Sequence, residues 1–156
     1  MEEQCTVYKA VVSENRTLIS AETPIVYVDD QQQSHVGIFR QGLKMETTQQ
    51  EVVEIERIKF CLDDNEQPIL GSFQCPKVRK TGEIALISPD QVVDQLCLIH
   101  DCANGKCAFK ESEITIMVER EKVTRVKFTY VHDREHNFYL INKFYLGESL
   151  KYFNFA

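Results

Sequence analysis

Within residues 100–107, the run His100-Asp101-Cys102-Ala103-Asn104-Gly105-Lys106-Cys107 places one imidazole and two thiols inside eight positions. Sulfur and nitrogen donors so close together suit a tetrahedral zinc ion, which takes four such ligands with Zn–S near 2.3 Å and Zn–N near 2.0–2.1 Å. His100 and Cys102 sit at i and i+2, on one side of an extended segment. A Cys-x4-Cys loop closed by Asn104-Gly105 folds back on itself, and Gly105 is expected to supply a left-handed backbone turn. The expected fourth ligand is His132, at the end of a strand from Lys122 to Val131 that would pair beside the strand leading into the loop. His136, Cys97 and Cys75 are the alternatives. A set closed by four protein ligands is structural zinc, with no position left for substrate. The competing reading is two ordinary thiols and a histidine that caps a strand.

Other catalytic patterns are weaker. His132-Asp133-Arg134-Glu135-His136 spells the H-x-x-E-H of inverted zinc metalloproteases, but that chemistry needs both histidines on one helical face. Here the five residues fall between two strand-like stretches and read as a polar hairpin loop. The Cys102/His100 pair lacks the orienting third group of a nucleophilic pair. There is no phosphate-binding glycine loop, and Gly147-Glu148-Ser149 is not a nucleophile elbow. Asp29-Asp30 and Asp63-Asp64 lack the spacing of a calcium loop and read as turns. The chain is expected not to be an enzyme, and a small zinc hydrolase is retained only as an alternative.

The elements that would position these groups have a period of two. Ile114, Ile116 and Val118 alternate with polar positions, as do Val126, Phe128 and Tyr130. From Val52 to Leu62 the alternation slips phase at Glu56-Arg57, as an inserted bulge residue would make it do. Further strands are expected at Thr6–Val12, Ile25–Val28, Val36–Leu43, Glu83–Ile87, Leu96–His100 and Phe138–Ile141, with a turn at Thr81-Gly82. Only Ser88-Pro89-Asp90-Gln91 carries a helix start, about one turn long. The fold class is mostly β: a small antiparallel β-barrel with a zinc-bound loop and at most short helices.

With 156 residues and 27% charged side chains the chain is long enough for one domain and a core without disulfides. No apolar run reaches the length of a membrane span, and Met1-Glu2-Glu3-Gln4 lacks the features of a secretory signal, so an intracellular protein is expected. The sequon Asn15-Arg16-Thr17 is then a chance match. The net charge of −6 disfavours nucleic acid, which binds through Lys and Arg at phosphates, and suits a basic partner. A basic face around Lys77, Arg79 and Lys80, or along Arg120, Lys122, Arg125 and Lys127, is the basis of a nucleic-acid alternative.

Several segments together resemble the bromo-adjacent homology (BAH) domain. Gly82-Glu83-Ile84-Ala85-Leu86-Ile87-Ser88, then Asp90–Asp94, then Gln95-Leu96-Cys97-Leu98-Ile99, looks like the late part of that domain. Val36-Gly37-Ile38-Phe39 resembles its opening strand and Val53–Phe60 the next, although Ile58-Lys59-Phe60-Cys61 stands where the family carries Arg-Pro. The part from His100 to about Ser149 resembles an extension found in fungal transposon-associated proteins, with His-x-Cys, a second Cys, Val118-Glu119-Arg120-Glu121, Val131-His132 and Ile141-Asn142 in order. The resemblance covers about residues 25–145. A single domain is expected, with N-terminal strands or an arm at 1–24, a barrel at 25–99, a zinc-stapled His/Cys extension at 100–145 and a tail at 146–156. The resemblance implies a non-catalytic nuclear module of chromatin that holds a histone tail or a nuclear partner protein. Relatives read methyl-lysine with an aromatic cage. Tyr27, Phe39, Phe60 and Phe73 are the candidate walls, with Asp29 or Asp30 as charge partners, and core packing is the preferred role for the four aromatics. The aromatic run from Phe144 to Phe155 either docks on the barrel or meets a partner.

Overall fold

Alternating β-branched and aromatic residues dominate the computed structural model, which describes residues 4–14, 16–145 and 151–153. Among these residues there are twelve strands: β1 Cys5–Tyr8, β2 Ala10–Val12, β3 Leu18–Ser20, β4 Pro24–Val28, β5 Ser34–Met45, β6 Glu51–Phe60, β7 Lys77–Ile87, β8 Val92–Gln95, β9 Leu98–His100, β10 Ala108–Val118, β11 Glu121–Val131 and β12 Phe138–Ile141. The described residues include three three-residue 3-10 turns, one of them at Pro89–Gln91, where the Ser88 N–H donates to Gln91 Oε1 at 2.7 Å. No helix there is long and apolar enough to cross a membrane. Asn15, the 147–149 segment and most of the tail from Leu146 onward lie outside the described residues.

The chain divides into two compact units, residues 1–99 with 138–156, and residues 100–137. The first is an antiparallel sheet, curled into a half-barrel, in the order β8-β4-β5-β6-β7-β12-β9 with β1 also on β5. It has two cores, because the buried phase changes along its strands. Ile25, Tyr27, Phe39, Val53 and Ile55 pack in one cluster with Ile19, Ile87 and Val92. Val26, Val36, Ile38, Ile58 and Val78 pack in a second with Leu96 and Ile141. The slip read at Glu56-Arg57 is the switch between them, since Val53 and Ile55 belong to the first cluster and Ile58 to the second. The surplus residues lie on the neighbouring strands. The β5–β6 register shifts between Phe39 and Gln41, and the β6–β7 register shifts opposite Arg57. Arg40, the extra residue on β5, spans Glu22 and the buried Glu56 as an ion-paired bridge.

Three expectations about strands change. Thr81-Gly82 does not end a strand; β7 runs through it, with Gly82 at φ +72° and Thr81 Oγ1 donating to Arg57 O at 2.7 Å. Thr6–Val12 divides at Lys9, so that β1 pairs with β5 and β2 with β3. Leu96–His100 likewise divides between a buried Leu96 and β9. Asp29 and Asp63 do form turns, each Oδ1 accepting two backbone N–H groups from residues two and four positions on. Of the C-terminal aromatics, Tyr152 and Phe153 dock on the sheet unit by packing against the second cluster, Tyr152 donating to Asp94 Oδ2 at 2.8 Å, whereas Phe144 is exposed and Phe155 lies outside the described residues.

The cage candidates do not converge. Tyr27 and Phe39 are buried in the first cluster, Phe60 packs against the second, and Phe73 is 83% exposed rather than in a core.

Candidate metal centre

The unit of residues 100–137 starts where β9 ends, turns through the loop at 101–107, runs out and back along β10 and β11, and closes in a second loop at 132–137. Each strand residue from 108 to 118 pairs in unbroken register with one from 121 to 131. That ladder brings the two loops together, because Ala108 stands opposite Val131, one residue from Cys107 and from His132. The strand beside β11 is therefore the one leaving the first loop; the strand entering it, β9, lies at the edge of the large sheet.

His100, Cys102, Cys107 and His132 converge so that one ligand atom from each lies within 4.8 Å of every other, and the group could hold a metal ion. Cys102 Sγ lies 3.4 Å from His100 Nδ1 and 3.3 Å from His132 Nδ1, and Cys107 Sγ is 3.3 Å from His100 Nδ1. Both histidines thus face the group through Nδ1. His100 turns its other nitrogen to the carbonyl of His136 and donates to it at 2.7 Å. A backbone acceptor behind an imidazole fixes its tautomer and ring plane, as metal-binding histidines require.

The backbone around the sulfurs is braced by residues whose part the sequence reading missed. Asp133 accepts the Lys106 N–H at 3.0 Å and the Glu135 N–H at 3.1 Å, tying the two loops, while its own N–H donates to Cys107 Sγ at 3.1 Å. Those N–H groups hold its carboxyl below the usual range. Tyr130 hydrogen-bonds Cys102 through its hydroxyl and sits edge-on to His132, ring centroids 5.2 Å apart. The signal for Tyr130 was present: it lies next to the end of β11, two residues before His132, a spacing that puts both on one side of an extended segment. Asp101 is the one buried residue of the unit and accepts from Asn104 Nδ2 at 2.9 Å.

Charge within the group favours thiolate at Cys102 and opposes it at Cys107. At Cys102 burial resists ionisation, but hydrogen bonds from His100, Tyr130 and Cys107 outweigh it and hold the thiol below its ordinary pKa. At His100 burial disfavours the cation, yet the bonds with Cys102 and the His136 carbonyl leave the imidazole above its ordinary value. Burial and the neighbouring Cys102 push the Cys107 thiol up.

Gly105 departs from expectation. Its φ is −107° with extended ψ, so the loop needs no left-handed residue there. A side chain is opposed by contact instead: a Cβ would stand 3.1 Å from Cγ and Cδ2 of His136, tight enough that the ring must give way. His136 itself stacks edge-on to His100 and supplies the carbonyl behind it, but is not one of the four converging donors. Cys75 and Cys97 belong to the sheet unit and are likewise not among them. The H-x-x-E-H run is a loop between β11 and β12, with no helix to align its histidines.

Fold and site together define a mostly β protein that carries a compact S2N2 donor group able to bind a metal. The chain belongs to the family described as a domain of unknown function (DUF8590), whose model matches residues 2–148. No curated protein and no solved structure matches it.

Proposed function

We propose that the protein is a zinc-supported, non-catalytic interaction module, BAH-like in its barrel, that holds a basic histone tail or a nuclear partner protein. The observation that carries the zinc is the spacing of the donors. A tetrahedral ion with the usual bond lengths separates neighbouring sulfur and nitrogen ligands by about 3.5 Å. Three of the four S···N separations in the group are 3.4, 3.3 and 3.3 Å, and the fourth, Cys107 to His132, lies within 4.8 Å. Two thiolates and two imidazoles complete the coordination, so the ion has no position for substrate or activated water, and its role is structural. That argues for binding over hydrolysis.

The choice of a basic partner follows from charge. Residues 100–137 hold as many Lys and Arg as Asp and Glu, so the whole net charge of −6 belongs to the sheet unit. An acidic sheet suits the lysine- and arginine-rich tails of chromatin and repels phosphate backbones. The nuclear setting and the link to transposon-associated proteins come from the sequence resemblance alone.

The experiment passes zinc-loaded protein over immobilised basic histone-tail peptides and, in parallel, over heparin and duplex DNA. Retention on the peptides, weakened by salt, is the expected result. Retention on DNA and heparin with none on the peptides would replace this reading with the nucleic-acid one.

A further inference from the structure

The β10–β11 ribbon is out of proportion to what supports it. Both strands are eleven residues, about 37 Å long, and every residue of the pair is exposed except Val123, which is half-buried. A lone two-stranded ribbon is marginal in water, and three or more strands are normally needed. Among the described residues no further strand pairs with the outer edge of either one. The ribbon is also rich in apolar side chains on both faces. Ile114, Ile116, Val118 and Val123 share one face; Phe109, Met117, Val126, Phe128 and Tyr130 share the other. Long apolar edges of this kind recruit another strand.

The charge pattern selects which strand. Closed two-fold pairs are the commonest assemblies, and two copies of one strand placed edge to edge about such an axis run antiparallel with like-numbered positions mirrored. Residues directly opposite then share a face, and like charges there are destabilising. If β11 met its own copy over nine or more residues, the axis would fall at Arg125, Val126 or Lys127. These place Arg125 against Arg125, Arg125 against Lys127, or Lys127 against Lys127. If β10 met its own copy, an axis at Ser112 opposes Glu111 and Glu113, and one at Glu113 opposes that residue to itself. Only an axis at Ile114 opposes no like charges. It sets Ile114 against Ile114, Thr115 against Glu113, Ile116 against Ser112, Met117 against Glu111 and Val118 against Lys110.

We infer that the outer edge of β10 is a self-association surface, on which a second copy of this chain adds its own β10 about a two-fold axis at Ile114, giving a four-stranded sheet ordered β11-β10-β10-β11. This goes beyond the partner-binding reading and does not depend on it.

The test uses the full zinc-loaded chain. Light scattering should show a mass that doubles with concentration, and Thr115→Glu, which sets one new carboxylate against Glu113 of the other copy on each side of the axis, should raise the dimer Kd several-fold. Position is read by cross-linking. In Ile114→Cys the two new thiols face each other across the axis at disulfide distance, so mild oxidation should give a covalent dimer linked 114 to 114 in peptide maps. In Ile116→Cys the equivalent thiols are offset by four residues, about 13 Å, beyond disulfide reach. Both positions are more than a third exposed, so neither change disturbs a core. A chain that stays monomeric at all concentrations, or that cross-links equally at 114 and 116, overturns the inference. So does a monomer whose ribbon instead carries retention on heparin.

Discussion

The two compact units are stabilised by different physics. The sheet unit buries apolar side chains in two clusters, with Phe39, Ile55, Val78 and Ile141 fully withdrawn from water. Residues 100–137 bury one side chain, that of Asp101, and it is an acid. Burial contributes about 25 cal/mol per Å² of apolar surface, so the first unit can hold itself together and the second cannot. What the second has instead is four converging donors and a net of hydrogen bonds at one end of its ribbon. The contrast shows that hydrophobic content does not tell which region is self-supporting. The ribbon is as apolar in sequence as the sheet strands, but its register leaves those residues facing solvent.

The largest effect should come from breaking the donor group. Cys102→Ala with Cys107→Ala removes both thiolates and should abolish metal binding, whose free energy in small zinc modules is about 10–16 kcal/mol. Hydrogen exchange should then show residues 100–137 opening while β4–β7 remain protected. Loss of protection in both units together would refute their independence. Phe39→Ala should do the converse. It should cost the sheet unit about 3–5 kcal/mol in denaturant unfolding, with metal content unchanged.

Much of this contrast was legible in the sequence. Period-two patterns identified β6, β10 and β11, strands were also expected at β4, β5 and β12, and the phase slip at Glu56-Arg57 marked the point where burial passes from one cluster to the other. The donor set was legible because three of its members lie within eight residues. The fourth, His132, was expected from a strand paired beside the one entering the loop; it joins the group instead because β11 pairs with β10, the strand that leaves the loop. What could not be read were features decided by partners distant in the chain. The surplus residues at the phase slip sit on β5 and β7, a property of register rather than of β6. The strand through Thr81-Gly82 persists because Arg57 lies across from it and accepts the Thr81 hydroxyl. Gly105 was read as a dihedral requirement when the constraint is the His136 ring against it.

Smaller changes sharpen the account of the metal end. Asp133→Ala removes the acceptor for two N–H groups and unties the loops. Metal affinity should fall about 10–100-fold in a competitive chelator titration, with the sheet unit's unfolding unaltered. Gly105→Ala should have the mildest effect, since the His136 ring must yield by only a few tenths of an ångström. A several-fold loss of affinity in the same titration is expected, and an affinity equal to wild type would show that the ring is free to move.

The most direct test is X-ray absorption spectroscopy, with elemental analysis, on protein purified without added metal. One zinc per chain is the predicted content, with a first shell of two sulfurs near 2.3 Å and two nitrogens near 2.0–2.1 Å. Protein free of metal, or a zinc shell made of oxygens without sulfur, would contradict the account.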